Sequence, residues 1–174
     1  RMIFITTQLP TTNTKENSKR SRKMEKIASF QVNHNTLERG IYISRIDGDI
    51  TTFDIRMKKP NGGDYLENAA MHTIEHLFAT FARNSEYKER VIYFGPMGCR
   101  TGFYFLTRNI PNGEVIKLIE DAFSFIADYE GEIPGVSKIE CGNYLEHNLT
   151  GAKKEAAEMR DLLSGYTEDR LIYV

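Results

Sequence analysis

GIYISRIDGDITTFDIRMKKPNGGDYLENAAMHTIEHLFATFAR, residues 40–83, carries two periodicities in succession, and their order decides the fold. Ile, Tyr, Thr and Phe recur with partial alternation on either side of Asp47-Gly48-Asp49, and an Asp-Gly turn between such runs favours a β-hairpin. Pro60-Asn61-Gly62-Gly63 ends the second strand. From about Leu66 to Arg83 the spacing changes. Leu66, Ala69, Ala70, Leu77, Phe78 and Phe81 recur at mixed three- and four-residue intervals, which predicts a helix buried on much of its circumference.

Further along, ERVIYFGPMGCRTGFYFLTRN (89–109) reads as two more strands broken at Gly95-Pro96-Met97-Gly98. GEVIKLIEDAFSFIADYE (113–130) is an amphipathic helix whose apolar stripe is Val115, Leu118, Ile119, Ala122, Phe123 and Ile126. Ile133-Pro134-Gly135 interrupts, and Tyr144 to Leu163 is predicted as the last helix. Hairpin strands with three helices imply an α+β fold, its helices packed against a largely antiparallel sheet. Phe78, Phe81, Phe103, Phe105, Phe123 and Phe125 read as core or subunit contacts. The chain carries neither an internal repeat nor a Gly-rich phosphate-binding turn.

The 174 residues suit one domain, expected over 24–174. Residues 1–23 end in TTNTKENSKRSRK and have almost nothing apolar to bury, so they are expected to be a disordered leader or an added extension. A hydrophobic fraction of 40%, a charged fraction of 27% and a net charge of -1 give no general attraction to nucleic acid or to anionic membrane. The SKRSRK cluster reads as a solvated tail rather than a nucleic-acid contact. No apolar run approaches the roughly 20 residues of a membrane helix, and RMIFITTQLP has too short an apolar core for a secretory signal. A cytoplasmic location is the expectation. Cys99 and Cys141 are then reduced and available for chemistry, or are simply small buried hydrophobes.

His72, Glu75 and His76 stand at i, i+3 and i+4, so all three leave one face of the predicted helix. An unpaired polar group inside a protein costs on the order of 1–3 kcal/mol, so that face must be satisfied. Either a divalent ion takes both imidazoles, with Glu75 carrying protons beside it, or the three residues form a hydrogen-bonded polar stripe. His-x-x-Glu-His is also the order found in inverted zinc peptidases. A third ligand is needed, and spacing leaves the other histidines, the cysteines and many carboxylates open. Cys141 stands beside Gly142, where backbone freedom lets a thiolate approach an ion. Cys99 precedes Arg100 in a turn, where a neighbouring cation would favour its thiolate.

Taken together, SFQVNH, FDIRMKKPN, the His-Thr-Ile-Glu-His-Leu helix, GPMGCRTGFY and the Cys141-Gly142 pair resemble the LuxS family, the S-ribosylhomocysteine lyases. The resemblance runs from about Ser29 to Leu163. It implies a LuxS/metallohydrolase-like α+β subunit in a homodimer whose active sites form at the subunit interface. His72, His76 and Cys141 would bind one divalent metal per subunit, iron(II) in this family, with zinc or cobalt able to replace it. Glu75 and Cys99 would be the acid–base pair, and Ser29, His34 and Arg56 match positions that line the substrate site. The family commonly has Asp-Ile-Ser or similar before Pro-Met-Gly-Cys. Here Tyr93-Phe94-Gly95 stands there, so no acidic group is expected at that point.

The implied reaction shifts the sugar carbonyl of S-ribosylhomocysteine by two isomerisations and then eliminates homocysteine, leaving dihydroxypentanedione, the precursor of a quorum-sensing signal. Each isomerisation removes a proton next to a carbonyl, and a Lewis-acidic ion with an open coordination position assists that chemistry. Without the motif around it, His34 would be an ordinary polar residue. His147, placed on the last helix, reads as a helix-surface residue or a support behind the ligands. Arg56 could hold the substrate's carboxylate through its planar fork, or merely pair with a surface carboxylate. Two other functions use the same helix: an inverted zinc peptidase with a carboxylate as third ligand and an idle Cys99, and a metal-binding protein without catalysis.

Overall fold

The structure, a computed structural model, describes residues 25–27 and 30–173. The expected leader and Ser29 lie outside the described residues. The chain runs β1 (Gly40–Asp47), β2 (Ile50–Arg56), α1 (Asn68–Arg83), β3 (Val91–Pro96), β4 (Gly102–Arg108), α2 (Asn112–Ala127) and α3 (Leu149–Leu163). The four strands form one antiparallel sheet in the order β1-β2-β4-β3. The α+β expectation holds.

The hairpin closes where Asp-Gly predicted it, with Asp47 opposite Ile50. Register then sorts the side chains of the two central strands. Phe53 pairs with Phe105 and Ile55 with Phe103, and all four are fully buried. Phe78 of α1 stacks on Phe94 of β3 at 3.8 Å between ring centroids and meets Phe105 and Phe123 edge-on. These aromatics clamp α1 between the sheet and α2, offset and edge-to-face pairs being the favoured arrangements. Phe81 and Phe125 pack at the rim of this core, half-buried.

Because side chains alternate along a strand, Asp54, Arg56 and Tyr104 leave the sheet on the face turned away from Phe53 and Ile55. That face is covered near its edge by the end of the chain, where Tyr173 stacks on Tyr42 at 4.9 Å. Gly102 sits opposite Arg56, and a Cβ there would come within 2.0 Å of the Ile55 carbonyl oxygen. Only glycine allows the two strands this approach, and it brings the turn after β3 beside Arg56.

Helix boundaries differ from expectation in three places, the second helix ending at Ala127 and not Glu130. The first helix begins at Asn68, not Leu66, because Glu67 caps it by accepting from the amides of Ala69 and Ala70. The last helix begins at Leu149, not Tyr144, since Asn148 accepts from the Gly151 amide and ends the irregular approach. Glu67 also receives a hydrogen bond from Asn148 at 3.1 Å, so one carboxylate ties the starts of two helices together.

The Asn148 contact and the two amides hold the Glu67 carboxyl below its ordinary value. Its stabilisation is therefore present above pH of about 4.5 and is lost as pH falls through the lower folded value. Glu67→Ala is expected to cost on the order of 1 kcal/mol near neutral pH, about 2–4 °C in Tm. Thermal melts should show the gap from wild type narrowing below about pH 4.

Candidate active site

The polar face of α1 meets the loop between α2 and α3, residues 128–148. His72 Nδ1 lies 2.9 Å from the Glu146 carbonyl oxygen, and His76 Nδ1 lies 2.8 Å from that of Pro134. A carbonyl only accepts, so each Nδ1 carries the proton and each Nε2 keeps a bare lone pair. Gly135, at φ 72°, makes the second contact possible, since a Cβ there would press to 3.3 Å from His76 Nδ1. The same loop delivers Cys141, whose sulfur lies 3.4 Å from His72 Nε2.

A fourth group joins them. His147 precedes α3 instead of lying on it, and its ring stacks on His72 at 4.0 Å. Thr73 fixes its tautomer. The Thr73 hydroxyl gives its one proton to the Ala69 carbonyl at 2.9 Å and accepts from the Asn148 amide, so at the 3.2 Å contact His147 Nδ1 must donate. His147 Nε2 then holds a lone pair that is buried and has no partner among the described residues. Burial first, then the neighbouring imidazoles of His72 and His76, lower the His147 pKa from 6.5 to about 4, which keeps the ring neutral.

His72, His76, Cys141 and His147 thus offer four ligand atoms within 4.8 Å of one another. Bare imidazole nitrogens beside a thiol suit a divalent transition-metal ion, and an orphaned lone pair is what such an ion would satisfy. Spacing left His147 open among the possible ligands, but placing it on the last helix read it as a surface residue or a support behind the site. Glu75 lines the same cavity of about 500 Å³, with Phe94 and Gly135 on its walls. No acidic residue of β3 enters there: Tyr93 is exposed and Phe94 belongs to the core.

Cys99, His34 and Thr101 line a different cavity of about 340 Å³, with Phe30, Asn61 and Tyr65. The cation near the thiol is Arg56, not Arg100. Arg100 has a left-handed φ of 59° and carries its guanidinium over the Tyr65 ring, while Arg56 Nη1 lies 3.9 Å from the sulfur. Arg56 is 3% exposed and forms a buried ion pair with Asp54, N–O 2.5 Å, and not a surface contact. Burial alone would push its guanidinium down, but the charge of Asp54 and the hydrogen bond to it hold Arg56 above its ordinary value. It stays charged beneath the thiol. Two cavities therefore stand apart in one chain, sharing no lining residue.

A family model described as S-ribosylhomocysteinase (LuxS) matches residues 27–168. The chain belongs to the LuxS family. Among proteins similar to it is the S-ribosylhomocysteine lyase of Clostridium acetobutylicum, 51% identical over 156 residues that cover 86% of this chain and 99% of that protein. Those of Porphyromonas gingivalis and Borreliella afzelii are 51% and 48% identical, again over 86% of this chain and 99% of the relative. The family match spans the residues of both cavities, from before His34 to beyond His147.

If the α1 group binds metal, loading the protein with zinc should slow alkylation of Cys141 by more than about tenfold, since a coordinated thiolate is withdrawn from attack. Cys99 should keep its rate. Peptide mass mapping after iodoacetamide treatment, with and without a chelator, checks both outcomes, and equal labelling of Cys141 in the two states would refute the ligand set.

Proposed function

We propose that this chain is a metal-dependent S-ribosylhomocysteine lyase, producing homocysteine and 4,5-dihydroxy-2,3-pentanedione. The carrying observation is the convergence of His72, His76 and Cys141 beside Glu75. The names of relatives about half identical over nearly their whole length supply the substrate. The peptidase alternative required a carboxylate as third ligand, and the groups that meet the two imidazoles here are Cys141 and His147.

His72, His76 and Cys141 are the proposed ligands that would hold one iron(II) per subunit, replaceable by zinc or cobalt, and His147 stands beside them. A divalent ion there supplies Lewis acidity toward the sugar's oxygens. Cys99 and Glu75 move the protons. Each isomerisation takes a proton from the hydroxyl-bearing carbon beside a carbonyl and returns one to the carbonyl carbon, while the hydroxyl proton passes to the former carbonyl oxygen, so the carbonyl advances along the chain. In the last step a further proton is lost beside the carbonyl, the bond between the β-carbon and sulfur breaks, and sulfur leaves with the electron pair as homocysteine. His34 and Ser29 are proposed to line the substrate cavity, and Arg56 to act on Cys99 from beneath.

Cys99 and Glu75 open into separate cavities of one chain, which supports a homodimer whose sites each take the thiol half from one subunit and the metal half from the other. Among the described residues no helix is long and apolar enough to cross a membrane. The proposed setting is the bacterial cytoplasm, where the reaction recycles homocysteine for methyl transfer and releases a quorum-sensing precursor.

Anaerobic protein loaded with iron(II) should release free thiol from S-ribosylhomocysteine. Cys99→Ala and Glu75→Gln should each lower turnover by at least about a hundredfold, the usual worth of a positioned acid or base. Co-expressing the two variants should restore about a quarter of wild-type activity, because half of randomly paired dimers would carry one intact site of two. Absence of thiol release from metal-loaded wild type would refute the lyase function, and absence of restoration would refute the shared site.

A further inference from the structure

We propose that Thr101 is a positioning residue for Cys99. Arg56, held in place by Asp54, directs the Thr101 hydroxyl proton onto the Cys99 sulfur, so that Arg56 and Thr101 form a one-way hydrogen-bond relay supporting a thiolate. The inference rests on the lyase reading for why that thiolate matters, and on geometry alone for its direction.

Direction follows from counting protons. A guanidinium has no acceptor, so at the 2.5 Å contact between Arg56 Nη1 and Thr101 Oγ1 the arginine donates. The Thr101 hydroxyl keeps a single proton. Its other hydrogen-bond neighbour among the described residues is Cys99 Sγ, at 3.1 Å. Thr101 is 2% exposed, so water does not compete for that proton. A thiolate is an acceptor only, and it completes the sequence in which Arg56 donates to Thr101 and Thr101 donates to the sulfur.

The relay is held at both ends. Asp54 Oδ2 accepts from Arg56 Nη2 at 2.5 Å and from the Tyr173 hydroxyl at 2.9 Å, fixing the plane of the guanidinium. The Thr101 carbonyl accepts from the amides of Met57 and Lys58 at 2.9 and 3.0 Å, which pins its backbone where β2 ends. A hydroxyl so placed has little freedom to turn away. Neutral thiol gains less from this arrangement than thiolate does, because hydrogen bonds to a charged acceptor are about twice as strong.

The test is alkylation of Cys99 by iodoacetamide without substrate, followed on the Cys99 peptide by mass spectrometry at about pH 7 and about pH 10. Thr101→Val should react roughly tenfold more slowly than wild type near pH 7, the loss expected for one hydrogen bond to a charged group. At the higher pH, where the thiol is ionised in every variant and only access matters, the rates should agree. Thr101→Ser keeps the hydroxyl and should stay within about twofold of wild type at both. If Thr101→Val fails to fold by circular dichroism, Thr101→Ala against Thr101→Ser makes the same comparison. Equal rates near pH 7, or equal slowing at both pH values, would overturn the relay. Because no substrate is present, that result is separate from failure of the lyase assay, in which wild type itself would release no thiol.

Discussion

Two hydrogen bonds from imidazole to backbone, His72 to Glu146 and His76 to Pro134, govern the metal half of this molecule. They answer a conflict built into α1. One face must be apolar to stack Phe78 on the sheet, yet the same short helix carries two histidines and a glutamate on another. Leaving imidazole N–H groups unpaired would cost on the order of 1–3 kcal/mol each. The loop 128–148 pairs them with its own carbonyls and so is drawn across the helix. In the same movement it turns both Nε2 atoms outward and sets Cys141 and His147 beside them. Thr73, fully buried, completes the arrangement by joining α1 to the Asn148 amide and the His147 ring.

The thiol half depends on a different bargain with solvent. A buried ion pair is often no more stable than an apolar pair of similar shape, so Asp54 and Arg56 contribute little net stability by their presence. Removing either one, however, would strand the other charge in the sheet. What the pair supplies is orientation. One guanidinium edge faces Asp54, the other faces Thr101 and Cys99, and Tyr173 closes the far side. Burial and then the Asp54 charge raise the Tyr173 phenol above its ordinary value, so it remains a donor to that carboxylate.

The hairpin, the three helices and the antiparallel sheet were legible because each rests on a local signal: Asp-Gly between alternating runs, or apolar spacing near 3.6. Cys141 and the two α1 histidines were legible because the helix fixes two of them and the motif pattern supplies the third. His147 was not, since the stretch from Tyr144 reads as helix while the chain turns over 142–145 and starts its helix only after the Asn148 cap. Arg56 was half legible. Strand parity gives its face, but what covers that face comes from the far end of the chain, and no spacing joins Arg56 to Tyr173. Cys99 was assigned the wrong cation for a similar reason: adjacency in sequence named Arg100, and a left-handed backbone turned that residue toward Tyr65.

The separation of the two halves follows from the sheet itself. Phe53 and Ile55 point toward the helices, so Asp54 and Arg56, one residue out of phase, must point away. A thiol supported by Arg56 is thereby tied to the opposite side of β2 from the helix that carries His72, Glu75 and His76. No rotamer change removes that, because a one-residue shift of register would expose the whole aromatic core. Chemistry that needs the thiol and the metal group on one substrate cannot be assembled by adjusting loops within such a subunit. In the proposed homodimer a second copy laid across the first would bring the two groups together, and a two-fold axis would build the site twice.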